Sequence, residues 1–125
     1  MTRTFLVFVF LLGGNVASRS ADDPCGLATT QLEANECYKA EYLKSDAKLN
    51  ATYHALRQKL SSQSREKLRN AQLAWIKFRD ANCEFVATEY EGGTASSLSR
   101  SICLKTMTEK REVELQEEYR RRASR

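Results

Sequence analysis

The chain is poor in residues that interrupt regular structure: its 125 residues include one proline and five glycines. One proline, together with 9% aromatic residues, excludes a collagen-like chain and argues against a disordered one. Charged residues make up 29% of the sequence. This composition favours amphipathic helices, and the length is that of one domain.

The groups that enzymes use are also scarce. The only histidine, His54, lies within a helical pattern, and the serines cluster at predicted turns without a histidine close enough in sequence to activate one. Gly92-Gly93 is a helix-ending pair and not a phosphate-binding loop. We therefore expect a protein that is not an enzyme and holds no cofactor; a small hydrolase is the least supported alternative.

No apolar run is long enough to cross a bilayer, which requires about 20 residues. The run Phe5–Leu12 follows the basic start Met1–Arg3 and precedes small residues, an order typical of a secretory signal peptide. We predict that residues 1–21 are a cleaved signal peptide. Residues 22–125 would then form one exported domain, periplasmic or secreted, without a stable membrane anchor.

Charge of one sign is not in large excess. The formal net charge is +4, and removal of Arg3 and Arg19 with the signal peptide would leave about +2. Domains that bind nucleic acid usually carry a strong, localised basic excess, so we expect no nucleic-acid partner. The basic tail 120–125 suits the dipole at a helix C-terminus; contact with a membrane surface or an acidic partner is the alternative.

Four cysteines are present, Cys25, Cys37, Cys83 and Cys103, and all lie in the predicted exported part. An even number of cysteines in a small exported domain indicates disulfides. A metal site is the alternative interpretation. It is weakly supported, because the sequence has no Cys-x-x-Cys pair and its single histidine is far from any cysteine.

Apolar residues recur at helical spacing in three segments. The first begins at a capping box formed by Thr30 and Glu33 and runs to Leu60. The second runs from about Ser64 to Tyr90. The apolar stripe of the first consists of Tyr42, Leu49, Tyr53, Leu56 and Leu60, and that of the second of Leu68, Ala71, Trp75, Phe78, Asn82 and Phe85.

The third segment begins near residues 95–97, after the Gly92-Gly93 turn, and ends in the basic tail. Its stripe consists of Leu98, Ile102, Leu104, Met107, Arg111 and Leu115. Helices joined by short turns pack as antiparallel neighbours. We therefore predict an all-α fold, an up-down-up bundle of three long antiparallel helices with disulfides.

Residues equally far from a turn lie at similar heights in antiparallel helices. With turns at about residues 62 and 94, the three helical cysteines fall at one end of the bundle. The pairs Cys25–Cys37 and Cys83–Cys103 then require the least movement of the chain, and the other two connectivities stay open.

The same comparison of heights brings a set of polar residues together. Asp46, Arg79, Thr108 and Arg111 fall at one level, close to Trp75. One interpretation is a half-buried network of ion pairs and hydrogen bonds that fixes the register of the helices. The other is a partner-binding face, because tryptophan and arginine are common anchors in protein interfaces.

The run Ala71–Cys83, with the sequence AQLAWIKFRDANC, closely resembles the signature of the lysozyme inhibitor LprI-like N-terminal family, a group of small exported bacterial domains. The resemblance covers about residues 25–115. Further positions that resemble the family are Thr30, Glu33, Asn35, Cys37, Gly92, Gly93, Cys103, Leu104, Thr108 and Arg111.

The resemblance implies a non-catalytic exported binding protein, with inhibition of lysozyme as the named activity of the family. The candidate partner-binding residues are Trp75, Lys77, Arg79, Gly92 and Gly93. Lysozymes are often basic, so binding would rely on a local acidic face such as Glu84, Glu89 and Glu91. The alternative is a periplasmic envelope or stress interaction module with a non-lysozyme partner. We expect a monomer or a weak dimer.

Overall fold

The computed structural model describes residues 23–125 and contains three long helices. They are α1 (Gln31–Gln58), α2 (Ser62–Ala87) and α3 (Thr94–Ala123), with a single 3₁₀ turn at Thr88–Tyr90. The described residues contain no strand. The predicted all-α fold with disulfides is therefore confirmed, whereas the predicted signal peptide lies outside the described residues.

The boundaries of α1 and α2 follow from their caps. At the start of α1 the Glu33 amide donates to the Thr30 hydroxyl at 3.1 Å, and the Thr30 amide donates back to the Glu33 carboxylate at 3.3 Å. At the start of α2 the Ser64 amide donates to the Ser61 hydroxyl at 3.3 Å. Because Ser61 is the cap, α2 begins two residues before the predicted Ser64.

The end of α2 also differs slightly from the prediction. The helix stops at Ala87, and its last residues tighten into the 3₁₀ turn that reaches Tyr90. Gly92 then has a φ of +83°, the one positive φ among residues 23–125. A residue with a side chain rarely adopts that conformation, so glycine is needed here for the turn into α3.

Cross-helix contacts establish the direction of each helix. The Asn35 side chain donates to the Thr94 carbonyl at the start of both helices, and the Thr52 hydroxyl donates to Glu112 further along, so α1 and α3 run parallel. The disulfide between Cys83 and Cys103, with the hydrogen bond from Arg111 to Gln72, shows that α2 runs antiparallel to α3. The backbone of α3 approaches both other helices, and the backbones of α1 and α2 lie further from each other than either lies from α3. This is the predicted up-down-up order.

The apolar core is small and lies away from the disulfides. Leu49, Leu56 and Leu60, from the predicted stripe of the first segment, are buried together with Leu115, from that of the third. The residues packed against them are Tyr53, Leu68, Trp75 and Tyr119. Four further buried residues are polar or charged: Gln72, Arg79, Thr108 and Glu112.

The predicted stripe of α2 is only partly correct. Phe78 is 61% exposed and Phe85 is 74% exposed, although both were expected in the core. The helix instead turns Gln72, Arg79 and Cys83 inward. These three side chains have specific partners on the other helices. Those contacts determine which face of α2 turns inward, although the face with Phe78 and Phe85 is the more hydrophobic one.

Two disulfides join Cys25 to Cys37 and Cys83 to Cys103, with Cα–Cα distances of 5.8 and 5.5 Å. This is the connectivity that needed the least chain movement. The first attaches the N-terminal arm to α1, and the second joins α2 to α3. No cysteine among the described residues is free. In the loop-entropy description the bridge between α2 and α3 stabilises the fold by roughly 3 kcal/mol.

None of the helices in residues 23–125 combines the length and the apolar character needed to span a bilayer.

Candidate functional site

Arg79 is at the centre of a polar network between the helices. Its side chain comes from α2 and is 5% exposed. Nη1 donates to Asp46 Oδ1 on α1 and to Thr108 Oγ1 on α3, both at 3.3 Å. A third acceptor, Asp80 Oδ1, lies 2.9 Å from Nε. The structure thus brings together three of the four residues that the sequence placed at one level.

Aromatic rings enclose the same guanidinium. Its central carbon lies 5.2 Å from the ring centre of Trp75 and 5.5 Å from that of Tyr42. Cations are attracted to aromatic faces at such distances, more strongly where water is excluded. Burial raises the pKa of the Tyr42 phenol, so this ring stays neutral. The network therefore holds the charge of Arg79 in an environment that compensates for its lost hydration.

Arg111, the fourth predicted member, contacts the network through Trp75. Its guanidinium carbon lies 5.9 Å from the Trp75 ring centre. Its hydrogen bonds run elsewhere, to Gln72 Oε1 at 3.1 Å and to Glu114 at 2.8 Å. Trp75 is half-buried, and the guanidinium groups of Arg79 and Arg111 both lie close to its ring. Because Arg111 belongs to α3, this contact helps to fix the positions of α2 and α3.

Glu112 belongs to a neighbouring buried set that the sequence did not reveal. It is 4% exposed and accepts a hydrogen bond from the Thr52 hydroxyl at 2.9 Å. Lys48 Nζ lies 3.5 Å from its other carboxylate oxygen. The available signal was its place four residues after Thr108 and three before Leu115, on the inward face of α3.

The candidate partner-binding residues do not form one surface. Arg79 is buried and Trp75 is half-buried, so neither is exposed as an interface anchor. Lys77 is exposed on α2. The Gly92-Gly93 loop is exposed at the end of the bundle, and Gly92 is thirteen residues after Arg79 in the sequence. A partner could therefore reach Lys77 and the loop, but not the Arg79 guanidinium.

The arm before α1 is fixed at the same end as the loop. Tyr38 Oη donates to Asp23 Oδ2 at 2.6 Å, and the Cys25 amide donates to Asp23 Oδ1 at 3.0 Å. These two hydrogen bonds, with that from Tyr38 the stronger influence, lower the pKa of Asp23. The disulfide from Cys25 to Cys37 adds a covalent attachment.

The two ends of the bundle carry opposite charge. We call residues 23–40 and 80–100 the loop end, because they include the Gly92-Gly93 loop and three of the four disulfide cysteines. They contain seven acidic and two basic residues. We call residues 53–72 and 110–125, which surround Leu56, the leucine end; they contain five acidic and eleven basic residues. The small net charge of the chain therefore hides a strong separation of charge along the bundle.

Exposed carboxylates surround the glycine loop. Glu84, Glu89 and Glu91 are all exposed. Glu84 forms an ion pair with Arg100 of α3. Glu89 and Glu91 lie on either side of Tyr90, directly before the loop. Neither forms an ion pair with any residue in 23–125. The loop is thus a small, side-chain-free projection beside negative charge.

No three His, Cys, Asp or Glu side chains within residues 23–125 are grouped so that they could hold a metal ion. The single histidine, His54, is exposed on α1 with its ring against Tyr53 at a centroid distance of 5.5 Å.

Comparison with known proteins is consistent with this architecture. The profile of the family described as "Lysozyme inhibitor LprI" matches residues 22–115. An uncharacterized protein of Rhizobium meliloti (strain 1021) is 31% identical over 113 aligned residues, which cover 80% of this chain and 81% of that protein. No solved structure matches the chain. Since the matched region includes both disulfides, the polar network and the glycine loop, the chain belongs to the lysozyme inhibitor LprI family.

Proposed function

We propose that this chain is an exported, non-catalytic inhibitor that binds a basic lysozyme through its loop end. The observation that carries the proposal is the exposed acidic surface around Gly92-Gly93, in a chain that belongs to a family described as lysozyme inhibitors. Clusters of one charge raise the rate at which an oppositely charged protein associates. The predicted signal peptide would place the chain in the periplasm or outside the cell, where it would meet such an enzyme.

Occlusion of the substrate cleft is the mechanism that the geometry favours. A glycosidase uses two carboxyl groups on either side of the scissile bond, so an inhibitor can act by filling the space between them. Arg79 would be a poor ligand for these carboxylates because it is buried and already bonded. The glycine loop carries no side chains, and the Cys83–Cys103 disulfide joins the two helices on either side of it.

A charge reversal at the loop tests the proposal. Glu91→Lys is expected to weaken binding to a C-type lysozyme at least about tenfold, because it places a cation against a basic surface. The matched control is Glu117→Lys, the same change at an exposed position of the leucine end. Titration calorimetry gives the affinity, and turbidity of a cell-wall suspension gives the inhibition.

Two outcomes would contradict the proposal. If no lysozyme class gives heat or slows lysis, the family's named activity does not extend to this chain. If Glu91→Lys and Glu117→Lys weaken binding equally, the acidic surface is not the docking surface. In the first case the alternative is an envelope or stress interaction module, tested by recovery of one non-lysozyme protein from a periplasmic extract.

A further inference from the structure

A regular seam of residues runs along the outer face of α2. Its members are separated alternately by four and three residues, and all of them are exposed. Alternation of this kind averages 3.5 residues per turn, which is the repeat of a helix that packs along its length against another helix. The members of the outer seam are Lys67, Ala71, Ala74, Phe78, Ala81 and Phe85.

The outer seam is not used within the chain. Phe78 and Phe85 are 61% and 74% exposed, and they lie two turns apart on the same face. The opposite face of α2, with Arg79 and Cys83, is the one that contacts the other helices. Large apolar side chains aligned with small ones on an exposed helix face are typical of a helix-pairing surface.

The order of residue sizes along the outer seam is self-complementary. If a two-fold axis passes beside Phe78, two antiparallel copies of α2 place Phe85 of one opposite Ala71 of the other. Large side chains then lie on small ones, as ordered helix packing requires. Phe78 packs on its symmetry equivalent at the centre.

Charge near the two ends of α2 is complementary in the same orientation. About the same axis, Lys67 lies at the level of Glu89 of the second copy, in the 3₁₀ turn that follows α2, twice in each pair. Both residues are exposed, and neither forms an ion pair with a residue in 23–125. A parallel pair would instead bring like charges together.

We propose that two copies of this chain pair through the outer seams of their α2 helices, antiparallel about Phe78. The occupant of the exposed phenylalanine face is thus a second copy of the chain. One helix pair buries less area than the roughly 1,200–2,000 Å² of a stable standard interface. The dimer is therefore weak, with a dissociation constant on the order of 10–100 μM.

Sedimentation equilibrium of the oxidised, exported chain tests self-association. The wild-type protein is expected to show a monomer–dimer equilibrium. Phe78→Asp is expected to raise the dissociation constant at least about tenfold, because it buries charge at the centre of the contact. Val113→Asp is the control, since Val113 is 50% exposed on α3 and lies outside the outer seam.

A charge exchange tests the antiparallel register. Lys67→Glu and Glu89→Lys are each expected to weaken self-association about fivefold or more, because each homodimer would contain two like-charged contacts. An equimolar mixture of the two variants should restore wild-type affinity, because both contacts in the heterodimer are again between opposite charges.

Three results would overturn the proposal. One is a wild-type chain that stays monomeric up to about 1 mM. A second is a mixture of the charge variants that associates no better than either alone. In the third, the chain is a monomer and Phe78→Asp abolishes its binding to lysozyme. That result would mean that the exposed phenylalanine face binds the enzyme. The proposal does not depend on lysozyme inhibition, which is tested separately at Glu91.

Discussion

Arg79 and Trp75, one turn apart on α2, form a cation–π contact in which the guanidinium carbon lies 5.2 Å from the centre of the indole ring. The same guanidinium bonds to Asp46 on α1 and to Thr108 on α3. One side chain thus connects all three helices at mid-height. This relationship makes Arg79 primarily a residue that fixes the register of the bundle, and its partner-binding role is correspondingly less supported than that of the loop.

Arg79→Met should destabilise the protein by about 2–3 kcal/mol, because loss of one member of a buried ion-pair network leaves its partners without compensation. The loss stays moderate because Asp46 and Asp80 are partly exposed and recover water. Urea unfolding followed by circular dichroism measures the change. Arg69→Met, at an exposed position of the same helix, should change stability by less than about 0.5 kcal/mol. Equal losses for both variants would contradict the central role of Arg79.

Thr108→Val should cost about 1–2 kcal/mol, because it removes the hydroxyl that accepts from Arg79 while keeping the shape of the side chain. The side chain is fully buried, so water cannot replace the lost acceptor. A double-mutant cycle with Arg79→Met should show that the two effects are not additive. Additive losses would mean that the two side chains do not act on one contact.

Loss of the two disulfides should have different consequences. Cys83→Ala with Cys103→Ala should lower stability by roughly 3 kcal/mol, because the bridge closes a loop between two core helices. Cys25→Ala with Cys37→Ala should mainly release the arm before α1. Thermal unfolding gives the global effect, and amide exchange of residues 23–30 gives the local one. A larger global loss for the arm bridge would contradict this assignment.

Gly92→Ala should destabilise the protein by about 1 kcal/mol, because alanine is strained at a φ of +83° although nothing crowds the position. Gly93→Ala is the matched control, since its φ is −122° and an added Cβ would meet only the Tyr90 carbonyl at an ordinary 3.7 Å. Thermal unfolding measures both. Similar losses at the two positions would show that conformation is not the reason for glycine at 92.

Acid should loosen the N-terminal arm and the start of α1. Hydrogen bonds from Thr29 and Thr30 lower the pKa of Glu33, and those from Tyr38 and Cys25 lower that of Asp23. A carboxyl group with a lowered folded-state pKa stabilises the fold above its ordinary value, here 4.5 and 3.8, and this contribution disappears as the pH falls through the lowered pKa. NMR amide shifts of the first turn of α1 should therefore change below pH 4.5. Glu33→Gln should reduce that change, and an unaltered transition would contradict it.

Local chemistry allowed much of the fold to be predicted from the sequence. The Thr30–Glu33 capping box, the leucines of α1 and the Gly92-Gly93 turn each act over a few residues, so their patterns are readable without tertiary structure. The heights of the cysteines required only the assumption of antiparallel helices. These features led to the correct helix order and the observed disulfide pairs.

The rotation of α2 was not predictable in this way. Two overlapping faces compete on that helix, and the face with Phe78 and Phe85 is the more apolar. Its inward face is held by an arginine network and a disulfide, whose partners come from distant parts of the chain. For the same reason the burial of Glu112 was missed, because a carboxylate is satisfied internally only when the side chains of another helix surround it.

Disulfide bonds stabilise one end of the bundle, and contacts between aliphatic side chains stabilise the other. Both bridges lie at the end with the glycine loop, while Leu56 and Leu115 are buried far from any cysteine. Reduction of the bridges would therefore remove covalent constraint only around the loop end and leave the aliphatic contacts in place. The loop end would then keep its full definition only in an environment oxidising enough to preserve disulfides.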